Sequence, residues 1–231
     1  MSRKTLLSLT GALLMLVTLP AQAILFDFTD AANFDSLSGS NASMTVNGIT
    51  AELTAFNGDL SLTNFDGDSS AAPCNGLLSC RRDGLGINDD EISFFGLTDT
   101  DVITGELLML TFSAPVDVTA IHLFDLFGPG DDAPGNPAEV ALMFFDTSST
   151  AVTGTAAPGT LSGYALYNEL VSDVTTIYFL ASNLDDNMNS PANSDFALAA
   201  IEIADVPEPG SLALLAIGLI GLGLIRFRKR A

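Results

Sequence analysis

Oxygen donors dominate the chemistry that this chain can offer. The run Asn64-x-Asp66-x-Asp68-x-Ser70 sets oxygen-bearing side chains at alternate positions, the spacing with which the first half of an EF-hand loop surrounds calcium. It is not an EF-hand: Ser69 stands where the sharp turn needs glycine, and Asn75 where a bidentate glutamate belongs. Asp89-Asp90-Glu91, Asp131-Asp132 and Asp185-Asp186-Asn187 form further acidic loops. One Ca2+ where such loops meet, with Asp66, Asp68, Asp89, Asp90 and Glu91 as the candidate ligands, is set against the alternative of plain solvated loops.

The residue sets for catalysis are missing. The single histidine, His122, lies inside the apolar run Ile121-His122-Leu123-Phe124, where a hydrogen-bonded core or edge side chain is expected rather than a base. There is no G-x-S-x-G elbow and no H-E-x-x-H. The region between the chain ends has no lysine for Schiff-base chemistry. Paired carboxylates could serve a glycosidase, but so many acids produce pairs by chance. Tryptophan is absent, which weakens stacking on sugars. No catalytic residue is assigned, and the chain is read as a non-enzyme. The two cysteines, Cys74 and Cys80, read as a disulfide if the chain reaches an oxidising compartment. So short a loop gives only about 2 kcal/mol in the chain-entropy account.

These residues must be positioned by strands. Ile24 to Phe28 alternates apolar residues with a period of two, and Met44 to Val46 and Ile49 to Phe56 flank Asn47-Gly48, a type I′ hairpin pair. Leu60 to Phe65 is expected to pair next, after Asn57-Gly58. Leu85 to Ile87 and Ile92 to Phe95 are short strands. Glu106 to Phe112 and Val116 to Phe127 are the most apolar stretches, so they are placed centrally, with Pro115 marking a corner between them. Glu139 to Phe145 follows, then Ala151 to Thr155 and Thr160 to Leu166 as a pair around Pro158-Gly159. Thr175 to Leu180 and Phe196 to Ile203 close the set. A helix at Ala197 to Ala204 is the alternative for the last, and one irregularity interrupts its alternation. Many short strands with turn chemistry between them predict an all-β domain, a β-sandwich or jelly roll, over residues 24–205.

The ends differ from this domain. Residues 1–23 have a basic start (Arg3, Lys4), an apolar run from Leu6 to Leu19 and Ala21-Gln22-Ala23, the pattern of a cleaved secretory signal peptide. Residues 206–231 hold Pro207-Glu208-Pro209, an uncharged run from Leu212 to Ile225, and Arg226-Phe227-Arg228-Lys229-Arg230. The prolines stop regular structure. The apolar run makes roughly 21 Å of helix, which Gly210, Ser211 and a snorkelling Arg226 extend toward a bilayer of roughly 30 Å. The basic end should stay cytoplasmic. Six of the eight basic residues lie in these two ends, leaving the domain Arg81 and Arg82 against every acidic residue except Glu208, a net charge near −25. That field repels nucleic acid and anionic lipid.

The ordered set of Pro207-Glu208-Pro209, short apolar helix and basic tail (residues 226–230) resembles the PEP-CTERM sorting signal of Gram-negative bacteria. The resemblance implies export by the secretion translocon and signal peptidase, transient inner-membrane anchoring, and cleavage near the motif by an exosortase-type membrane protease. It also implies delivery to the cell surface or extracellular matrix, in association with exopolysaccharide and biofilm. Gly84-Leu85-Gly86-Ile87, Asp89-Asp90-Glu91-Ile92 and Gly105-Glu106-Leu107-Leu108 look like an arrangement common in the cargo domains of such proteins, which implies a jelly roll. A carbohydrate-binding module, with or without calcium, is the alternative function.

Overall fold

The computed structural model describes residues 23–65, 73–93, 105–129, 138–146, 148–154, 163–182 and 194–204. The strands are β1 (Ile24–Asp27), β2 (Ser36–Ser38), β3 (Asn41–Val46), β4 (Ile49–Phe56), β5 (Leu60–Asn64), β6 (Arg82–Ile87) and β7 (Ile92–Ser93). They continue with β8 (Leu107–Phe124), β9 (Val140–Phe145), β10 (Ser149–Thr153), β11 (Ala165–Tyr167), β12 (Val171–Ala181) and β13 (Asp195–Ile203). A 3-10 turn at Ala31–Asn33 is capped by the Asp30 carboxylate, which accepts the Ala32 N–H. The domain is all-β, and no helix among the described residues is long and apolar enough to cross a membrane. Residues 1–22 and 205–231, with the expected signal peptide and membrane helix, lie outside the described residues.

The longest strand organises the pairing. Leu107 to Phe112 of β8 lies between β4 and β12, and the first layer runs β2-β3-β4-β8-β12-β9-β10. Val118 to Phe124 of the same strand pairs with β13 on one edge, and Ile121 to Leu123 with β11 on the other. Beyond β13 come β1 and β6, then β5, all antiparallel. The layers face each other, with Phe26 of β1 meeting the Phe112 ring at 5.8 Å. The core between them holds fully buried Phe26, Leu53, Leu85, Leu110, Phe179 and Ile201.

Pro115 does not divide two strands, as the sequence reading placed it. One strand passes through it. Between the pairs Thr111↔Thr176 and Val116↔Val174, β8 has three more residues than β12, so Ser113, Ala114 and Pro115 bow outward to solvent. There the missing proline N–H takes nothing from the sheet. Two further irregularities matter more for the site. The register slips by one residue at Thr119 of β8 and at Ala199 of β13. Each slip transfers the following side chains to the opposite face. Val118, Ile121 and Leu123 point to the core, as do Leu198, Ile201 and Ile203. His122 and Glu202 therefore project from the outer face.

Pairing differs from the sequence reading in two other places. β5 pairs with β6, not β4, because Asn57 and Gly58 carry the chain to the other layer; Asn57 Nδ2 donates to the Gly105 carbonyl at 2.9 Å. β10 pairs with β9, and Ala165–Tyr167 pairs with β8. The Asn47-Gly48 hairpin forms with both residues at positive φ, +50° and +81°, as type I′ geometry demands. The span Ala197 to Ala204 is strand rather than helix up to Ile203.

Gly84 and Gly86 are needed for closeness. A Cβ on Gly84, at φ +147°, would stand 2.3 Å from the Leu198 carbonyl oxygen, and one on Gly86 would stand 1.8 Å from the Asp90 carbonyl oxygen. Both obstacles are backbone and cannot rotate away. Gly86→Ala is expected to cost about 3 kcal/mol or more, whereas Gly48→Ala, with open space around its Cβ, should cost about 1 kcal/mol for φ alone. Urea unfolding of the two variants beside the parent would measure both; equal losses would show that the β6 backbone yields.

Candidate functional site

Of the acidic positions named from sequence, Asp89, Asp90 and Glu91 lie together at one turn. Asp66 and Asp68 lie outside the described residues. Asn64, which begins that run, turns its side-chain oxygen to accept from the Arg82 guanidinium. Asn88 and Asp89 occupy a tight turn between β6 and β7, at φ +61° and +65°, closed by Ile87 N–H to the Asp90 carbonyl at 2.9 Å. Asp89 and Asp90 are exposed there, and Glu91 is half-buried. Among the described residues no group of three or more His, Cys, Asp or Glu is disposed to hold a metal ion. Glu106, 2% exposed, acts as a cap: its carboxylate accepts from Asn88 Nδ2 at 2.8 Å, Ser93 N–H at 2.9 Å and Ser93 Oγ at 3.2 Å.

Cys74 and Cys80 are joined in a disulfide, with Cα atoms 5.4 Å apart. Their loop lies over the outer face of β1, β8 and β13. Leu78 and Cys80 pack there with Phe124, Ala199 and Ala200 in a second, smaller apolar cluster. Buried Asp27 and Thr29 fasten the loop. Asp27 Oδ2 accepts the Ser79 N–H at 2.9 Å, and Thr29 Oγ1 accepts the Cys80 N–H at 2.8 Å while donating to Asp27 Oδ1 at 2.6 Å.

Beside this loop the outer face holds a cleft of about 500 Å³. His122 and Glu202 of the sheet line it, together with Tyr164, Leu77 of the disulfide loop and Leu166 of β11. His122 Nε2 lies 3.0 Å from Glu202 Oε1, and Nδ1 lies 2.9 Å from the Tyr164 hydroxyl. A carboxylate only accepts, so Nε2 carries the proton, and Nδ1 of the neutral ring accepts from the Tyr164 O–H. Burial lowers the His122 pKa, although Glu202 pulls it upward, and the ring is neutral at pH 7. Burial, then the Glu202 charge, pushes Tyr164 up to about 12, so the phenol keeps its proton. With both ring nitrogens engaged, His122 holds Glu202 and Tyr164 in place. The cleft therefore presents one uncompensated carboxylate.

Sequence reading selected His122 and gave it a hydrogen-bonded place, but did not pair it with Glu202 or Tyr164. A signal was present: His122 and Glu202 are each an ionisable residue inside an apolar strand, and such residues need partners.

The geometry defines a sandwich-like all-β domain: two antiparallel layers, a disulfide-fastened loop and an acidic cleft. Residues 205–230 match the family model of the PEP-CTERM protein-sorting motif. The chain thus carries a PEP-CTERM sorting motif, the mark of an exported protein processed at the membrane by an exosortase. No curated protein matches the chain.

One titration should be visible in stability. Burial raises the Glu91 carboxyl from 4.5 to about 8, helped by its hydrogen bond with Asp90 and the charges of Asp90 and Asp195. The fold favours the protonated form, so the contribution is complete below the unfolded value and is lost as pH rises through about 8. Glu91→Gln should be near neutral at pH 4 and stabilising at pH 9, by about 1 kcal/mol after solvent screening of a half-exposed group. Melting curves of parent and variant at the two pH values would decide; equal differences at both would remove Glu91 from the pH dependence.

Proposed function

We propose that this is a non-enzymatic surface or matrix protein of a Gram-negative bacterium. It is exported behind the signal peptide of residues 1–23, held in the inner membrane by residues 211–225, and trimmed near Pro207-Glu208-Pro209 by an exosortase. The product then stays with the exopolysaccharide of the biofilm. The observation that carries the reading is the sorting motif at residues 205–230. The two-layer antiparallel sheet supports a jelly-roll cargo. Arg226 and Arg228 in this reading fix the cytoplasmic end of the helix.

The cleft favours a second reading, a carbohydrate-binding module. A Ca2+ ion among Asp66, Asp68, Asp89, Asp90 and Glu91 belongs to that reading, and a melting temperature raised by calcium and restored by chelator would support it.

Intact mass of the protein from the native host's envelope and medium tests the main reading. A species from Ile24 to near Pro207 is expected. Replacing Pro207, Glu208 and Pro209 together with alanine should leave residues 212–231 attached and keep the protein in the inner membrane. A parent species that keeps those residues at the cell surface would overturn processing.

A further inference from the structure

The cleft over His122 and Glu202 has a composition that selects its occupant. Glu202 lines the cleft and bonds His122 through Oε1, and no hydrogen bond engages Oε2 among the described residues. The described lining contains no lysine or arginine, and the domain around it has a net charge near −25. An anionic ligand is therefore repelled. Asn75 and Asn168, both exposed, present carboxamides that donate and accept. Leu77 and Leu166, each 44% exposed, are large apolar side chains left in water in the cleft's lining. The volume suits a ligand of one or two sugar rings. Among the described lining residues the two aromatic rings, Tyr164 and His122, stack on and bond to each other, so stacking on an open ring face is not available as the main attraction. A charge-assisted hydrogen bond to the carboxylate is the strongest contact left.

We propose that this cleft binds an amino sugar with a free amine. The ammonium donates to Glu202, the ring hydroxyls exchange hydrogen bonds with Asn75 and Asn168, and the aliphatic edge of the ring packs on Leu77 and Leu166. The assignment rests on the reading of the protein as a polysaccharide-associated surface protein and names the sugar class. Neutral His122 is a positioning residue: it turns Glu202 toward the ligand without cancelling its charge. The disulfide loop supplies one wall through Asn75 and Leu77, so the site requires the Cys74–Cys80 bond.

His122 is the chain's one histidine, so its ring resonances report the cleft without ambiguity. The probes are glucosamine tetramer, N-acetylglucosamine tetramer, hexylamine and a uronic-acid tetramer. Each is titrated into the full chain in non-ionic detergent at physiological salt, with NMR detection. The glucosamine tetramer should move the His122 signals saturably. The acetylated tetramer and hexylamine should each bind at least about tenfold more weakly, and the uronic-acid tetramer not at all. Glu202→Gln keeps an acceptor for His122 and should abolish the preference for the free amine. Asn168→Ala, an exposed change that leaves the fold intact, should weaken binding of the glucosamine tetramer several-fold. Reduction of the disulfide should also weaken it. Equal response to the free and acetylated tetramers would make this a neutral-sugar site and overturn the proposal. So would equal response to hexylamine, which would reduce it to a cation trap, or a response unchanged in Glu202→Gln, which would reflect the domain's overall charge. The mass measurement on processing does not involve the cleft, so failure here is separable from failure of the surface-protein reading.

Discussion

A single strand that serves two sheets must satisfy two sets of neighbours and keep its apolar side chains inside throughout. β8 does this over Leu107 to Phe124. Its first half is hydrogen-bonded between β4 and β12, and its second between β13 and β11. The change of neighbours is absorbed by an outward bow at Ser113 to Pro115 and by a one-residue slip at Thr119. The layers, their shared core and the cleft all follow from how β8 makes that passage.

The slip at Thr119 and its counterpart at Ala199 decide which residues reach the outer face. Strict alternation from Val118 would send His122 into the core, and strict alternation from Leu198 would do the same to Glu202. A buried carboxylate beside a buried imidazole would then need other partners or lose its charge. The two slips instead place both residues on the outer face, where His122, buried beneath the disulfide loop's side of the cleft, bonds to Glu202 through one nitrogen and to Tyr164 through the other. Bulges commonly re-aim side chains in this way, and here they convert two misfits of the apolar pattern into a polar lining.

The disulfide loop completes the arrangement, and its covalent closure is only part of what holds it. A seven-residue ring closed by Cys74–Cys80 gains only about 2 kcal/mol in chain entropy. Its placement depends equally on Asp27 and Thr29, which accept two of its backbone N–H groups from the end of β1. Without these acceptors the loop's Ser79 and Cys80 amides would lose their partners over an apolar surface. With them, Asn75 and Leu77 are held at the cleft, one more instance of a loop residue positioned by the rigid sheet beneath it.

Local chemistry alone determined much of this protein. The sorting motif, the all-β class, the Asn47-Gly48 hairpin and the strand nature of residues 196–203 follow from short-range rules: proline and charge placement, period-two alternation and positive-φ turn residues. The irregularity in the alternation of Phe196 to Ile203 was also legible, because it breaks the pattern within a few residues. Only the tertiary structure decided that Leu60 to Asn64 crosses to the other layer, that one strand runs through Pro115, and that His122, Tyr164 and Glu202 converge. These depend on which edge a strand finds and on how slips in two different strands, some eighty residues apart, coincide across one ladder. Pairing energies of that kind arise between segments, so no window of sequence contains them.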